Sequence, residues 1–507
     1  MAATGTKKWV FRLAAAGICG SLLVAGCAHP GRPREGTATF SSYLGGNRDD
    51  LVQDLAVARD GSIFLVGVTG STDFPTANAI QADFAGGPRN QLDAFVAAFT
   101  PGGRDLIYST YLGGGYYDYG SDCAIADDGT LVLTGKTLSR DFPTREAFQP
   151  ANHGKGDAFV ARLGPDGRLL SSSFLGGSRG ENLRAPGKIA IGPGGKICVS
   201  GTTPSRDFPE VKPLPGVVGG GSDAFIALLD PSARQVLRCS RVGGSKTDFC
   251  FGLALDSAGR PCLTGQTGST DFPRTPRGLP YRGEPGYPDA FVSLIDLEAG
   301  KIIYSGFLGG SRWDFGHAVG CWPGGDIVVA GRTTSRDFPT VRALQPTYAG
   351  GSVDGDLFVS RLRPDSGELI FSTFLGGGGD EPKSTLVDLT LDPEGNIWLS
   401  AGSDSRDYPA AGTLPLPSGE KLDAVISALA SDGQSLLLSG RIGGRGIDFA
   451  RAVELGSRRV YLAGGTYSGN FPTRNPFQAG AGNLHVPGDD DNFMDGFFLG
   501  FPLFPTR

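Results

Sequence analysis

One phrase returns seven times along this chain: Asp73-Phe74-Pro75, Asp141-Phe142-Pro143, Asp207-Phe208-Pro209, Asp271-Phe272-Pro273, Asp337-Phe338-Pro339, then Asp407-Tyr408-Pro409 and Asn470-Phe471-Pro472. Successive copies start 68, 66, 64, 66, 70 and 63 residues apart. Two further landmarks keep the same count. A Gly-Gly pair begins at Gly45, Gly113, Gly176, Gly243, Gly309, Gly376 and Gly443, and an apolar run opens at Asp93, Asp157, Asp223, Asp289, Asp356, Asp423 and Asp495. A period of this length and fidelity signals stacked or radial repeats.

The second unit displays the grammar. Gly120–Ala126, Thr130–Thr137, Asp157–Leu163 and Arg168–Leu175 are short runs rich in β-formers. They are separated by Asp127-Asp128-Gly129, a long loop carrying the Asp-Phe-Pro phrase, and Gly164-Pro165-Asp166-Gly167, which are turn signals. With four strands per unit and seven units, the chain is expected to be all-β, a seven-bladed β-propeller with four-stranded blades. It is out of phase with its blades: Thr37–Leu44 is a fourth strand without the first three, and Asp495–Leu503 a third strand without a fourth. Pairing these two would close the ring and remove the exposed edges, whereas a solenoid would need polar caps. The 81 glycines and 35 prolines, which would suggest low complexity if scattered, recur in register as turns. The propeller is assigned to residues 37–507.

The phrases Leu106–Gly114 (LIYSTYLGG), Leu253–Thr267 (LALDSAGRPCLTGQT), STDFP and DAFV resemble the bacterial β-propeller repeat family abbreviated SBBP, over essentially all of residues 37–507. The resemblance implies a secreted or envelope protein. It implies no common activity.

The N-terminus reads as an address. Lys7, Lys8 and Arg12 precede an apolar run from Leu13 to Gly26, too short to span a bilayer, which marks 1–26 as a secretory signal. Its end, Leu23-Val24-Ala25-Gly26-Cys27, resembles the bacterial lipobox, which implies cleavage before Cys27 and lipid attachment to it. Residues 27–36 then form a short tether. Ala28 rather than Asp after the cysteine resembles the sorting pattern for the outer membrane, facing either periplasm or exterior.

The net charge of −6, with 46 basic and 52 acidic residues interspersed, gives nucleic-acid binding no electrostatic support. No nucleophile, zinc or phosphate-loop motif is present, and no cofactor is implied. In an up-and-down blade, the long Asp-Phe-Pro loops and the segments after Gly-Gly emerge on one face, and the short hairpins on the other. Long loops on a rigid scaffold carry binding. On that face Arg140, Arg206, Arg336 and Arg406 precede the phrase, and Arg179, Arg312 and Trp313 follow Gly-Gly. Arginine beside aromatics suits carboxylates, sugars or protein partners; the competing reading pairs these arginines with neighbouring aspartates, such as Arg140 with Asp141.

The Asp of the phrase is expected to accept backbone N–H groups in a local turn, with Phe filling the gap between blades, because sevenfold recurrence fits a scaffold better than a catalyst. The run Asp489-Asp490-Asp491-Asn492 has hard oxygen ligands but lacks the spacing of a calcium loop, so a solvated tip is the plainer reading. Cys123, Cys198, Cys239, Cys250, Cys262 and Cys321 are expected as buried thiols, with Cys239 paired to Cys198 or Cys250 as the oxidised alternative. Two readings of function stand. One is a lipid-anchored, monomeric, non-enzymatic propeller binding a protein or glycan of the cell envelope. The other is an envelope hydrolase or lyase at the channel mouth, for which only His317, Glu181, Asp380 and Glu381 are irregular enough to serve. A pure spacer is the third possibility.

Overall fold

The computed structural model describes residues 40–503 except 88–90, 182–186, 217–218, 352, 382–385, 415, 420 and 483–492. The signal segment, the tether with Cys27 and His29, His485 and the Asp489–Asn492 run lie outside the described residues.

The described chain is a seven-bladed β-propeller of seven four-stranded antiparallel sheets. The first complete blade runs Asp50–Val57, Ile63–Thr69, Asp93–Phe99 and Leu106–Leu112, hydrogen-bonded in that order. The next five blades begin at Asp118, Lys188, Asp248, Asp314 and Asp388. The last contains Asp448–Leu455, Arg459–Thr466 and Asp495–Pro502, with Phe40–Leu44 as its outermost strand. Leu44 lies opposite Gly496 and Phe40 opposite Gly500. First strands of neighbouring blades contact one another and take the centre.

The strands of the second unit are Asp118–Ile125, Leu131–Thr137, Asp157–Leu163 and Leu169–Leu175, within two residues of the sequence reading. Their turns are fixed locally. Gly129 and Gly167 both adopt φ +79°, which a side chain disfavours, and Asp128 Oδ1 accepts the Thr130 N–H at 2.9 Å.

Each junction between consecutive blades has its own apolar cluster. Val66 and Val96 of the first blade pack with Leu133 and Phe159 of the second, and Leu65 and Phe95 of the first pack with Tyr461 and Phe498 of the last. The phenyl ring of each Asp-Phe-Pro phrase enters such a cluster. It lies against the aromatic two residues into its own third strand, as in Phe74–Phe95, Phe142–Phe159, Phe272–Phe291 and Phe338–Phe358, all at 4.5 Å between centroids. Burying a phenyl ring contributes about 1.5–3 kcal/mol, so the phrase anchors the long loop on the outer half of each blade. The sixth copy has Tyr408 there, and its hydroxyl pairs with Ser427 Oγ at 2.9 Å.

Candidate functional site

The aspartate of the phrase is not a local turn acceptor, as the sequence suggested. It reaches back 25–29 residues to the segment after Gly-Gly. Asp73, Asp141, Asp207, Asp271, Asp337 and Asp407 each accept one backbone N–H there, from Asn47, Gly115, Ser178, Ser245, Ser311 and Gly378 at 2.8–3.0 Å. Asn470 does the same to Arg445 at 2.9 Å, since an amide oxygen accepts equally well. The serine two residues before the phrase adds a second tie: Ser335 Oγ accepts the Arg312 N–H and donates to Asp314 Oδ2, both at 2.8 Å. These bonds weld the two long elements of the face together in every blade.

They also account for Gly-Gly. A methyl on Gly309 would stand 2.7 Å from Asp314 Oδ2 and 2.8 Å from Asp289 Cγ, and one on Gly310 would stand 2.7 Å from Asp337 Oδ1. The close approach of three carboxyl groups leaves no room for a side chain.

Two of the irregular candidates dissolve into this pattern. Five residues after the first glycine come Asp50, Asp118, Glu181, Asp248, Asp314, Glu381 and Asp448. In each, the backbone N–H bonds the carbonyl of the residue just before a third-strand aspartate: Asp118 to Leu92 at 2.8 Å, Glu181 to Gly156 at 3.0 Å, Glu381 to Gly355 at 2.7 Å. Glu181 and Glu381 therefore occupy the scaffold position of the aspartates and take the same serine bonds, from Ser205 and Ser405. Asp380 accepts the N–H groups of Val353, Asp354 and Gly355 at 3.1, 2.9 and 3.1 Å, which shapes a loop. His317 is buried, its ring edge-on to Phe251 with centroids 5.5 Å apart. Burial pushes its pKa well below the usual value, and Arg332 and Arg451 add to that.

What the structure does bring together is a cleft of about 900 Å³ on the long-loop face, between the fourth and fifth blades. Arg312 and Trp313 enter it from the connection between those blades, Tyr287 from the long loop of the fourth, and Arg336, Tyr348 and Asp354 from that of the fifth. Arg332 comes from the second strand of the fifth blade, Ile327–Thr333. The Trp313 indole is 45% exposed; one side stacks on Phe315 at 5.7 Å and 29°. Its place is set by a pair of bonds, Trp313 N–H to Thr334 Oγ1 at 3.1 Å and Thr334 N–H to Trp313 O at 2.9 Å.

The cations are held by aromatic rings. The Arg312 guanidinium lies 5.2 Å from the Tyr287 ring centre and donates to its hydroxyl at 3.1 Å. Arg336 lies 5.8 Å from the Tyr348 ring, and Arg332 lies 4.3 Å from Phe315 while pairing with Asp354. Burial lowers the Arg332 pKa, and Asp354 opposes that shift. Among the described residues neither Arg312 nor Arg336 has a carboxylate partner, and the charges of Asp354 and Asp380 both act on Arg332.

Of the residues singled out by sequence, Arg312, Trp313 and Arg336 meet in this cleft. Arg140, Arg179, Arg206 and Arg406 are exposed on other blades and form no ion pair with a described carboxylate. Arg140 does not pair with Asp141. Tyr287, Arg332, Tyr348 and Asp354 were not legible beforehand; the long-loop residues among them follow no repeat letter.

The six cysteines are free. The alternative Cys239 pairings do not form: Cys239 lies in the cluster between the second and third blades, and Cys198 and Cys250 in the next one round the ring. The sheet between the two clusters separates them. The thiols that do meet are Cys262 and Cys321. Among the described residues no group of three or more His, Cys, Asp or Glu side chains could hold a metal ion, and no helix is long and apolar enough to cross a membrane.

No protein-family model matches the chain, and no curated protein matches it. Among solved structures it is similar to the WD40 β-propeller domain of Doa1, at 11% identity over 91% of this chain and 96% of that one, with a TM-score of 0.42. It is also similar to a protein of unknown function from Dyadobacter fermentans, at 11% identity over 92% and 99%, TM-score 0.40. A third, of unknown function from Bacteroides caccae, gives 9% identity over 66% and 93%, TM-score 0.31. At these identities the likeness concerns the fold alone.

Proposed function

We propose that this protein is a lipid-anchored propeller of the bacterial cell envelope, related to the SBBP repeat proteins, that binds a protein or glycan through its long-loop face without catalysing a reaction. The observation that carries the binding half is the cleft between the fourth and fifth blades: two guanidinium groups without carboxylate partners among the described residues, and an exposed indole, on a scaffold braced in every blade. A concave site with a few convergent polar groups is the usual form of a ligand site. Its rigidity favours presentation of a preformed surface, since the side chains are already ordered by ring contacts before a ligand arrives. The anchoring half rests on the Leu23–Cys27 motif. Two or three acyl chains, at about 0.8 kcal/mol per buried CH₂, make attachment lasting.

The full-length protein in detergent, incubated with envelope extract, is expected to retain material that the Trp313→Ala variant does not. Indistinguishable profiles from the two proteins would defeat the cleft as the site. For the anchor, Cys27→Ser is expected to move the protein from the membrane pellet to the soluble fraction, and continued sedimentation with membranes would refute lipidation.

A further inference from the structure

We propose that the cleft between the fourth and fifth blades takes an acidic carbohydrate, a pyranose chain carrying carboxylate groups, with Arg312 and Arg336 on the carboxylates and Trp313 against a sugar ring. The inference rests on the reading of this cleft as the binding site and adds the ligand's chemistry.

Charge gives the first argument. The protein as a whole is acidic, at −6, yet this cleft gathers Arg312, Arg332 and Arg336 against Asp354, which Arg332 already engages, and Asp380, whose oxygen is taken by the Val353, Asp354 and Gly355 N–H groups. Two planar forks are left facing solvent. A guanidinium binds a carboxylate through two parallel N–H bonds and is weakly hydrated, so it exchanges water for an anion at low cost.

The aromatic surfaces give the second. Phe315 backs one face of the Trp313 indole, and the ring remains 45% exposed. Tyr287 meets it edge-on at 6.2 Å and 73°. A flat exposed ring with hydroxyls beside it, here those of Ser311, Thr334 and Tyr287, complements the apolar face and hydroxyl edge of a pyranose.

Sugars and peptides differ in what holds them. A peptide is held by pairing with a free strand edge or by apolar side chains seated in pockets. Arg332 lies on a strand already paired on both sides, with Phe315 and with Leu357. The cleft's one aliphatic side chain, Val353, is 72% exposed and forms no pocket. A volume of about 900 Å³ exceeds one sugar ring and accommodates a short chain.

The test uses the full-length protein in detergent, titrated calorimetrically with a galacturonate oligosaccharide and with the same oligosaccharide after reduction of its carboxyl groups. The acidic form is expected to bind at least roughly tenfold tighter than the reduced one, the worth of a charge-assisted bond. Arg312→Gln and Arg336→Gln should each remove most of that preference while leaving the melting temperature unchanged, and Trp313→Ala should weaken both forms. Equal binding of both forms overturns the role of the arginines. No binding of either, while envelope material is still captured in a Trp313-dependent way, overturns a uronate ligand and leaves the cleft as a site for another partner. Loss of that capture as well would remove the underlying reading.

Discussion

Raising the pH from 6.5 to 9 is expected to lower the melting temperature of this protein by roughly 10 °C. The cause is the carboxyl groups flanking the first glycine of each Gly-Gly pair. Every junction sets a third-strand aspartate beside the Asp or Glu that follows Gly-Gly, as in Asp93 with Asp118 and Asp289 with Asp314. Burial, with the neighbouring charge adding to it, pushes Asp314 and Asp495 up to about 8 and Asp50, Asp93 and Asp356 to about 7. Glu181 is likewise pushed to about 7, by burial and by Asp157. At Asp157/Glu181 the two carboxyl groups meet directly, while the Thr137 and Thr333 hydroxyls reach Asp118 and Asp314.

Because the folded pKa values are raised, the folded state binds more protons than the unfolded chain from about pH 4 upward. That stabilisation is present at low pH and is lost as pH rises through 7 and 8. Each proton held in excess contributes about 1.4 kcal/mol per pH unit, so half a dozen such groups amount to several kcal/mol over this window, against a usual total of about 5–15. His317 acts in the opposite sense, since its pKa is pushed down and it weakens the fold only below about 6.5. Thermal melts at fixed ionic strength across pH 6.5–9 are the measurement. A flat profile would refute the raised carboxyl groups at these junctions, and Asp314→Asn should shallow the slope.

Much of this architecture was legible because a repeat multiplies weak signals. One Asp-Phe-Pro could be any turn, whereas seven in register locate the blades, and the Asp157–Leu163 strand was read to the residue. What periodicity could not give was partners far apart in sequence. Asp337 bonds a backbone N–H 26 residues earlier, across the mouth of a blade, and no local pattern records that. Comparing letters rather than positions also misled: Glu181 and Glu381 looked exceptional until their place, five residues after the first glycine, made them longer versions of Asp118. Arg312, Trp313 and Arg336 were visible through their places beside the phrase and after Gly-Gly. Their union with Tyr287 and Tyr348 depends on the paths of two long loops from different blades, which obey no period.

Gly331→Ala is expected to destabilise the fold by about 3 kcal/mol or more. The added methyl would lie 1.8 Å from the Phe315 carbonyl oxygen, and because that oxygen is backbone, no rotamer relieves the contact; the strand itself must move. The geometry belongs to a bulge. Pairing steps from Gly316 opposite Gly331 to Ala318 opposite Ala330, which brings the innermost strand close to its neighbour. Gly67, Gly135, Gly265 and Gly464 are caught the same way, within 2.0 Å of the carbonyl oxygens of Leu51, Tyr119, Phe249 and Phe449. The sixth blade supplies the natural counterexample. It carries Ala401 at this position, and its innermost strand, Asp388–Leu391, starts opposite Ser400 with no register step. Ala401→Gly should accordingly cost only about 0.5–1 kcal/mol, the ordinary penalty of glycine in a strand. Denaturant unfolding of the two variants beside the wild type separates the cases. If Gly331→Ala unfolds within 1 kcal/mol of wild type, the bulge does not demand glycine, and the recurrence at this position has some other cause. The same substitution has a functional reach, because Arg332 follows directly and projects into the cleft; displacing the strand should weaken ligand binding even where the fold survives.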